Sequence, residues 1–442
     1  MDRLPKDFVA ALKDHFDREV VAAVLRGLDE PASISVRLNQ NKPSDRFNTE
    51  RRVPWSDRGR LLEKRPSFSL DPLLHAGAYY VQDSSSMIIE YLLNQLSFDG
   101  GGILALDLCA APGGKSINLS DFLEERGYLI TNEVNQKRNS VLTENLLKWG
   151  RAHHAITQLS ASKLGEISSV FDLVLIDVPC SGEGMFRKDA FTLEQWNLDL
   201  VTQCANTQSQ ILNDIDSAIR PGGYVVYSTC TMNIQENEWQ VKYMLELGYE
   251  LVSMDMSEFA HYIIPAVYEN ENLGWYLLPG ISSGEGLFVS VLRKRSEASF
   301  SPVGGGFELS EFESQIEIPE GIFNYQWTKK EVKYGTLDRF GLLNRLPEQM
   351  AFKSVGMPAF EMKCDRQIPK HGLAMSNQFN IDIELSEKQA LDYLRCQSIN
   401  MDTSNLPSWC IVGFEETPLG WAKAVPRRLN NHYPKPYKLR QQ

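Results

Sequence analysis

Two cysteines follow neighbouring predicted strands, and their positions indicate a reactive site. Cys180 lies in the turn Asp177-Val178-Pro179-Cys180-Ser181-Gly182-Glu183-Gly184, and Cys230 lies in Tyr227-Ser228-Thr229-Cys230-Thr231. A single cysteine is most often a small buried apolar residue. Parallel strands that lie side by side bring their carboxyl ends to the same edge of a sheet. We therefore expect both thiols and Asp177 to meet over one pocket.

Two thiols beside a nucleoside pocket suit methylation of carbon 5 of cytosine. Carbon 5 alone is too weak a nucleophile to attack a sulfonium methyl group. A thiolate that adds to carbon 6 makes carbon 5 enamine-like and splits one difficult step into easier ones. A second polar group can assist removal of the carbon 5 proton, and an aspartate can hydrogen-bond the exocyclic amine of the base. We expect no metal, because Cys-x-x-Cys and histidine-rich spacings are absent from the sequence.

The segment Leu106–Ser116, Leu-Asp-Leu-Cys-Ala-Ala-Pro-Gly-Gly-Lys-Ser, predicts a ligand-binding turn between a strand and a helix. Small residues let a ligand approach the backbone, and the helix start offers free N–H groups. A phosphate-binding P-loop would need glycine at position 109, which is Cys109, and the dinucleotide pattern Gly-x-Gly-x-x-Gly is also absent. The remaining interpretation is a nucleoside-binding turn of another kind, with a purely structural turn as the alternative.

Glu133 ends the next predicted strand. A carboxylate at that position can accept hydrogen bonds from both hydroxyls of a ribose. A surface glutamate after a strand is an equally good interpretation of Glu133 taken by itself.

Seven apolar segments predict the strands that position these residues. Helical patterns separate the first five, and continuous apolar strands between helices indicate a parallel sheet covered on both faces. The predicted fold class is α/β, with a ligand site at the carboxyl ends of the strands. The segments are Leu104–Leu108, Leu129–Glu133, Ala155–Gln158, Leu173–Asp177, Tyr224–Cys230, Leu251–Met254 and Leu287–Leu292.

The segments on either side of this sheet carry weaker patterns. Residues 8–28 predict one amphipathic helix, and residues 43–66 are irregular and basic, as in a solvated loop or a phosphate-contacting surface. The glycine triplet 304–306 and the acidic stretch 308–320 indicate a linker. The tail from Trp421 onward carries six Lys/Arg and no acidic residue, with Tyr433 and Tyr437 among them.

The overall composition is that of a globular protein, with 442 residues, 43% hydrophobic residues and a formal net charge of -12. This charge disfavours a protein that coats nucleic acid through global charge, but it permits a local nucleic-acid site. We expect no membrane span and no secretory signal, because long apolar runs are absent. The 7 unpaired cysteines predict a reducing, cytoplasmic location.

These motifs resemble those of the Nop/Sun family of RNA 5-methylcytosine methyltransferases. The resemblance rests on Leu106–Ser116, Asp177–Gly184, Ser228-Thr229-Cys230 and the upstream segment Tyr79–Ser86. It implies a class I S-adenosyl-L-methionine-dependent methyltransferase with a Rossmann-like, seven-stranded sheet. The tail resembles a PUA-like RNA-binding barrel whose basic and aromatic side chains would contact phosphates and stack on bases, with a disordered terminus as the alternative.

The resemblance also implies roles for individual residues. Cys230 corresponds to the nucleophile, Cys180 to the cysteine assigned to product release, Asp177 to the catalytic-motif acid, and Lys115 to a position that faces the active site. Ser160 stands where the family usually has an acid that hydrogen-bonds adenine, so the charge of that contact is lost. The residues implied to bind S-adenosyl-L-methionine are Cys109, Ala110, Ala111, Pro112, Gly113, Gly114, Lys115, Glu133, Arg138, Ser160 and Asp177.

The expected function is methyl transfer from S-adenosyl-L-methionine to carbon 5 of a cytosine in RNA. The expected substrate and partner is small-subunit (16S) ribosomal RNA or an assembly intermediate, bound by a monomer without membrane contact. A non-catalytic RNA-binding assembly factor and a transfer-RNA methyltransferase are the alternatives. The predicted domains are an N-terminal α+β RNA-contacting extension (1–75), the methyltransferase domain (76–296), a linker or small module (297–345) and a PUA-like domain (346–442).

Overall fold

The computed structural model describes residues 4–296, 306–314, 318–319, 321–364 and 366–440. Two glycines of the predicted linker, Gly304 and Gly305, and the acidic residues Glu317 and Glu320 lie outside the described residues. Within the described ranges, no helix is both long and apolar enough to cross a bilayer.

The N-terminal segment forms three helices and four strands. They are α1 (Lys6–His15), α2 (Arg18–Asp29), β1 (Ser35–Leu38), β2 (Arg51–Val53), β3 (Ser56–Leu61), α3 (Pro72–Ala76) and β4 (Tyr79–Val81). The strands pair antiparallel in the order β2-β3-β1-β4. The prediction of one helix over 8–28 was wrong, because the Asp17 carboxylate accepts from the N–H groups of Glu19 and Val20 and starts a second helix.

The basic segment 43–66 is more regular than the sequence predicts, since it contains β2 and β3. Two of its arginines also point inward. Arg60 is 8% exposed, and the Arg58 guanidinium forms an ion pair with Asp121. The interpretation of the whole segment as a solvated or phosphate-contacting loop is therefore wrong for these two side chains.

The central segment alternates strands and helices. Its elements are α4 (Ile88–Asn94), β5 (Ile103–Asp107), α5 (Gly114–Leu123), β6 (Gly127–Asn132), α6 (Gln136–Trp149), β7 (His154–Thr157), α7 (Ala161–Gly165), β8 (Phe171–Asp177), α8 (Ala190–Gln195), α9 (Leu198–Ile215), β9 (Ile219–Thr229), α10 (Glu238–Glu246), β10 (Tyr249–Leu251), β11 (Ile264–Tyr268), β12 (Glu271–Leu277) and β13 (Leu287–Lys294). Six of the seven predicted strands overlap observed strands over most of their length. The prediction for Leu251–Met254 was displaced, because β10 ends at Leu251 and shares only that residue with it, and the hairpin β11–β12 was not predicted.

The central sheet has a parallel core, β9-β8-β5-β6-β7, which antiparallel strands extend. Strand β13 pairs with β9, and a strand from the C-terminal half, β17 (Phe352–Val355), pairs antiparallel with the outer edge of β7. Successive residues of β5 face opposite layers: Leu104 and Leu106 pack into one core cluster, and Ile103 and Ala105 into another. Burial on both faces explains why the parallel strands are continuously apolar.

A buried ion network fixes the N-terminal segment on this sheet. Arg37 of β1 is 0% exposed and donates from Nη2 to Asp121 of α5 at 2.7 Å and from Nη1 to Glu90 of α4 at 2.7 Å. The Trp149 indole donates to the other oxygen of Asp121 at 2.9 Å. Since removing one partner of a buried pair leaves an uncompensated charge, this network ties β1 to the helices behind the cleft.

Two smaller sheets complete the chain. The first has the order β14-β15-β16-β18-β19, and the second has the order β20-β22-β23-β24-β21. Their elements are β14 (Ser310–Glu311), β15 (Tyr325–Lys329), β16 (Val332–Thr336), β18 (Met357–Lys363), β19 (Arg366–Pro369), α11 (His371–Met375), β20 (Ile383–Glu384), α12 (Glu387–Leu394), β21 (Ile399–Asn400), β22 (Trp409–Phe414), β23 (Thr417–Val425) and β24 (Arg428–Asn431). The predicted boundary at 345–346 stays a prediction; the first small sheet takes strands from both sides of it.

The aromatic residues of the tail differ from their predicted role. Trp421 is 5% exposed and its indole donates to the carbonyl of Lys370, while Tyr433 is 4% exposed. Both therefore stabilise the core of the C-terminal barrel, and neither presents a face for base stacking. The six basic residues of the tail, by contrast, are all exposed.

Candidate active site

The two cysteine turns lie side by side because β8 and β9 are adjacent and parallel. Asp177, the last residue of β8, is paired in register with Ser228 of β9, and Cys230 directly follows β9. The result is a distance of 3.2 Å between the Sγ atoms of Cys180 and Cys230. The predicted meeting of both thiols and Asp177 is thus present in the structure.

The two thiols have different surroundings. The hydrogen bond with Cys230, together with burial, raises the pKa of the Cys180 thiol well above its usual value. The backbone of Cys230 is held from the other turn, since the Gly184 N–H donates to its carbonyl at 2.7 Å. A Cβ at position 184 would lie 2.8 Å from that carbonyl oxygen, so this approach requires glycine.

An ion pair lies beside the thiols. Lys115 Nζ is 2.8 Å from Asp177 Oδ1, and the Ser228 hydroxyl donates to the same oxygen at 2.8 Å. Burial alone would lower the pKa of Lys115, but the carboxylate of Asp177 and, to a smaller extent, Cys230 leave it raised above its usual value. Lys115 is therefore a fixed cation that acts electrostatically on both Asp177 and the Cys230 sulfur.

The glycine-rich turn forms one wall of a cleft next to this ion pair. Gly113 has φ 113° and caps α5, a conformation that favours glycine. The cleft is open to solvent and is lined by Tyr80, Val81, Gln82, Asp83, Ser86, Asp107, Cys109, Ala110, Ala111, Pro112, Gly114, Lys115 and Asp177. Burial raises the pKa of the Asp107 carboxyl to about 7 and that of the Cys109 thiol well above its usual value.

Glu133 directly follows β6, and the backbone just before α6 holds its side chain in place. Its side chain is 3% exposed and accepts from the Asn135 N–H at 2.8 Å. Arg138 lies 3.3 Å from the other carboxylate oxygen and donates to the Ala111 carbonyl at 2.6 Å. Arg138 thus connects Glu133 to the glycine-rich turn. Glu133 is buried, so the alternative interpretation as a surface glutamate is wrong.

Four of the predicted cofactor residues lie outside the lining of the cleft: Gly113, Glu133, Arg138 and Ser160. Gly113 and Arg138 still belong to or contact the glycine-rich turn, whereas no such contact is present for Ser160 among the described residues. Ser160 is exposed, and its hydroxyl caps α7 by accepting from the Lys163 N–H at 3.3 Å. It does not belong to the lining of the cleft. Its contact with adenine stays a prediction from the resemblance.

Two buried glutamates that were not predicted, Glu183 and Glu236, hold the two cysteine turns together. Glu236 is 0% exposed and accepts from the Ser181 N–H at 3.0 Å and from Gln208 at 2.7 Å. The Asn233 amide donates to Glu236 at 2.8 Å and to Glu183 at 2.9 Å. Only position in the sequence could have indicated them, since Glu183 lies shortly after Cys180 and Glu236 lies shortly after Cys230.

The substitution Glu236→Gln is expected to lower the free energy of unfolding by about 2–3 kcal/mol. The side-chain oxygens of Glu236 face only donors, and the amide group of glutamine would direct an N–H at one of them. Urea denaturation followed by circular dichroism measures the change. The matched control is Glu246→Gln at an exposed position of α10, expected to change stability by less than ~0.5 kcal/mol. Equal values for the two variants would contradict the bracing role.

The parallel sheet, the glycine-rich turn after β5 and the cleft at the strand ends define a class I S-adenosyl-L-methionine-dependent methyltransferase. Residues 99–293 match the family described as 16S rRNA methyltransferase RsmB/F, residues 4–84 match the N-terminal domain of 16S rRNA methyltransferase RsmF, and residues 380–439 match the methyltransferase RsmF PUA domain. Three regions of the chain thus match an RsmB/F methyltransferase domain and the N-terminal and PUA domains of RsmF. The PUA domain confirms the barrel that the tail resembles.

Individual relatives extend this result over most of the chain. Ribosomal RNA small subunit methyltransferase F of Erwinia tasmaniensis is 29% identical over 412 residues, which cover 87% of this chain and 84% of that protein. The protein of the same name from Shewanella sp. (strain ANA-3) is 28% identical and covers 97% and 92%. The crystal structure of NSun6 from Pyrococcus horikoshii with SFG has a TM-score of 0.56 at 20% identity, over 66% of this chain and 99% of that one, and supports the fold.

Proposed function

We propose that this RNA methyltransferase transfers a methyl group to carbon 5 of a cytosine in 16S ribosomal RNA through a covalent cysteine adduct at carbon 6. The observation that carries the proposal is the 3.2 Å distance between the thiols of Cys180 and Cys230, beside the Lys115–Asp177 ion pair. Methylation of a nitrogen or an oxygen needs no adduct and gives no reason for two adjacent thiols. The names of the relatives support ribosomal RNA of the small subunit as the substrate.

The cleft residues fit S-adenosyl-L-methionine as the cofactor, which supplies an electrophilic methyl group. The glycine-rich turn would hold the cofactor against its backbone. The residues of this turn are Cys109, Ala110, Ala111, Pro112, Gly113, Gly114 and Lys115. Glu133, positioned by Arg138, would accept the ribose hydroxyls. We also keep Ser160 as the proposed adenine contact on the basis of the resemblance.

The surroundings of the thiols support Cys230 as the nucleophile. Cys180 retains its proton because its thiol pKa is raised, and it can donate that proton toward the Cys230 sulfur. The raised pKa of Lys115, to which Cys230 contributes, keeps its ammonium charged beside the same sulfur. A thiolate at Cys230 then forms the bond to carbon 6, and the electrons of the carbon 5–carbon 6 double bond move toward carbon 5.

Asp177 and Cys180 support two further requirements of the reaction, which are recognition of cytosine and release of the methylated product. The Asp177 carboxylate lies at the end of β8 and can accept from the exocyclic amine of cytosine, which distinguishes cytosine from uracil. After methyl transfer, the carbon 5 proton must leave so that the double bond re-forms and the bond to Cys230 breaks. Cys180, 3.2 Å from the Cys230 sulfur, can give its proton to that sulfur as the carbon 6–sulfur bond breaks and take up the carbon 5 proton in its place, so that both thiols are protonated when the product leaves.

A basic groove in the C-terminal domain provides a place for the RNA backbone. It is lined by Arg395, Gln397, Lys435, Pro436, Lys438, Leu439 and Arg440. Lys435, Lys438 and Arg440 are exposed. Cationic side chains in a groove bind phosphates independently of base sequence and position the substrate.

The triple substitution Lys435→Glu, Lys438→Glu and Arg440→Glu is expected to weaken RNA binding and to flatten its salt dependence. Each lost phosphate contact reduces the slope of log K against log salt by about 0.7–0.9. Fluorescence anisotropy with a labelled fragment of 16S ribosomal RNA over a salt series measures both effects. The control is Lys330→Glu, at an exposed turn between β15 and β16. An unchanged slope in the triple variant would exclude the groove as a phosphate-binding surface.

The proposed function is tested most directly by mapping 5-methylcytosine in ribosomal RNA from cells with and without this protein. One position in 16S ribosomal RNA should lose its methyl group in the deletion strain and regain it when the gene is restored. Loss at a transfer-RNA position instead would contradict the proposed substrate. An unchanged methylation map would contradict the activity.

A further inference from the structure

A second cleft lies on the outer side of β7, where three parts of the chain meet. One wall is lined by Ser140, Thr143 and Leu147 of α6. The second wall comes from β16 and β17, and the third comes from the short helical turn Lys435–Tyr437 of the C-terminal domain. This cleft shares no lining residue with the cofactor cleft, so it is a separate site that the proposed mechanism does not use.

Two half-buried tyrosines from different parts of the chain line this cleft. Tyr334 lies in β16, and Tyr437 is the last residue of the C-terminal turn. Burial raises the pKa of both phenols, and in Tyr437, where Glu144 and Tyr334 add to this effect, the pKa reaches about 12. Both side chains are therefore uncharged at neutral pH, and their rings offer aromatic faces on which a nucleobase can stack.

Three hydroxyl groups on the walls of this cleft have no hydrogen-bond partner among the described residues. They belong to Tyr334, Ser354 and Tyr437. Ser354 is 7% exposed, so its hydroxyl gains little from bulk solvent. Because a hydroxyl both donates and accepts, three of them around one cleft suit the mixed donors and acceptors on the edge of a base.

Two lysines beside this cleft form no ion pair within the described ranges of the chain. Lys353 lines the cleft and donates to Asn139 Oδ1 at 2.9 Å, and Lys329 donates to the Phe352 carbonyl at 2.9 Å. Burial lowers the pKa of Lys353, and repulsion from Lys329 lowers it further. A phosphate group beside Lys353 would offset this repulsion.

The cleft adjoins the basic groove of the C-terminal domain, which contains Lys435, Lys438 and Arg440. Pro436 lines both, so the short turn around it divides the two. Lys435 lines the groove, and Tyr437 lines the cleft. An RNA strand whose phosphates lie in the groove therefore passes close to the cleft, and one unpaired base can turn across Pro436 into it.

We propose that this cleft is a pocket for one unpaired nucleotide of the RNA substrate, separate from the pocket where the target cytosine reacts. Tyr334 and Tyr437 stack on the base, the three free hydroxyls pair with its edge, and Lys353 contacts its phosphate. Phosphates in the groove carry no sequence information, whereas a base held in the cleft sets the register of the strand. The cleft therefore helps to select which cytosine reaches Cys230. The proposal rests on the RNA substrate of the proposed function.

Binding of a labelled fragment of 16S ribosomal RNA to the full chain tests this pocket. The double substitution Tyr334→Leu and Tyr437→Leu keeps apolar side chains and removes the aromatic faces and hydroxyls. We expect it to weaken binding roughly 10-fold in fluorescence anisotropy, because a base loses its stacking partners. The loss should be equal at every salt concentration, since stacking releases no counterions, whereas the triple substitution in the groove changes the salt slope.

Further variants control for folding and for ring stacking. Tyr268→Leu, at a half-buried position of β11, should bind the RNA fragment as the unchanged protein does. Tyr334→Phe with Tyr437→Phe keeps both rings and should retain more affinity than the leucine variant. All variants should bind S-adenosyl-L-homocysteine, the cofactor without its methyl group, as the unchanged protein does. If the leucine variant fails that test, ultraviolet crosslinking of the unchanged complex replaces it, and mass spectrometry should locate an RNA nucleotide on a peptide that contains Tyr334 or Tyr437.

RNA affinity in the leucine variant equal to that of Tyr268→Leu, or crosslinks confined to other peptides, would overturn the pocket. Titration with free AMP, CMP, GMP and UMP separates the two sources of a nucleotide. Nucleotide binding that the leucine variant loses while it retains RNA binding would mean that the cleft serves a free nucleotide, which also overturns the proposal. If the unchanged chain does not bind the RNA fragment, the pocket and the proposed substrate fail together, whereas RNA binding that the leucine variant retains rejects the pocket alone.

Discussion

Replacement of Cys230 by alanine is expected to reduce methyl transfer by roughly 10⁴-fold or more, the scale on which removal of a covalent nucleophile acts in other enzymes. Without the Cys230 sulfur, carbon 6 receives no electron pair and carbon 5 stays too weak a nucleophile. The measurement is incorporation of a labelled methyl group into 16S ribosomal RNA, with a parallel search for covalent protein–RNA adducts, which should also be absent.

The matched control for this variant is Cys204→Ala, which removes a partly buried thiol from α9. It should methylate at close to the unchanged rate, and alanine is well tolerated in a helix. Binding of S-adenosyl-L-homocysteine should survive in both variants, since the Cys230 side chain is not part of the cleft lining. Substantial turnover by Cys230→Ala would mean that another group is the nucleophile.

Replacement of Cys180 by alanine is expected to have the opposite effect on the adduct and to accumulate it. Cys230 can still bond to carbon 6, and carbon 5 can still be methylated. Proton removal from carbon 5 loses its assisting thiol, so the bond to Cys230 persists. Denaturing gel electrophoresis after incubation with RNA and S-adenosyl-L-methionine should reveal a protein band of raised mass that ribonuclease treatment shifts back.

The double variant Cys180→Ala and Cys230→Ala is the control for that adduct. It should form none, because the sulfur that bonds to carbon 6 is missing. If Cys180→Ala methylates RNA at the normal rate and no adduct accumulates, then Cys180 has no part in product release.

Much of this site could be predicted from the sequence because strand ends are predictable. The runs of apolar residues in the sequence indicate approximately where β8 and β9 end. Parallel pairing of these two strands then brings Asp177 beside the Cys230 turn. The Gly113 turn was predictable for a similar reason, since only small residues suit a close backbone approach. Their roles in catalysis stay predictions until the variants are measured.

Other features depend on contacts that a sequence pattern does not contain. The periodicity of residues 8–28 continues through Asp17, but a local cap divides the helix there. Trp421 stands close to basic residues in the sequence, but its ring is buried because the C-terminal domain packs around it. Gln82 likewise donates to the Gly114 carbonyl only because two distant segments, the end of β4 and the start of α5, lie side by side in the fold. Long-range packing of this kind overrides local pattern.

The pairing of β17 with β7 bears on how the enzyme is made. During synthesis on the ribosome, β7 emerges almost two hundred residues before its antiparallel partner β17. Until β17 is made, the N–H and carbonyl groups on the outer edge of β7 stay unpaired. Exposed edges of this kind invite pairing with another nascent chain. A catalytic fragment cut at residue 296 would keep that edge permanently open, whereas one that continues through Val355 would close it. The unit that folds as a whole is therefore longer than the unit that performs the chemistry.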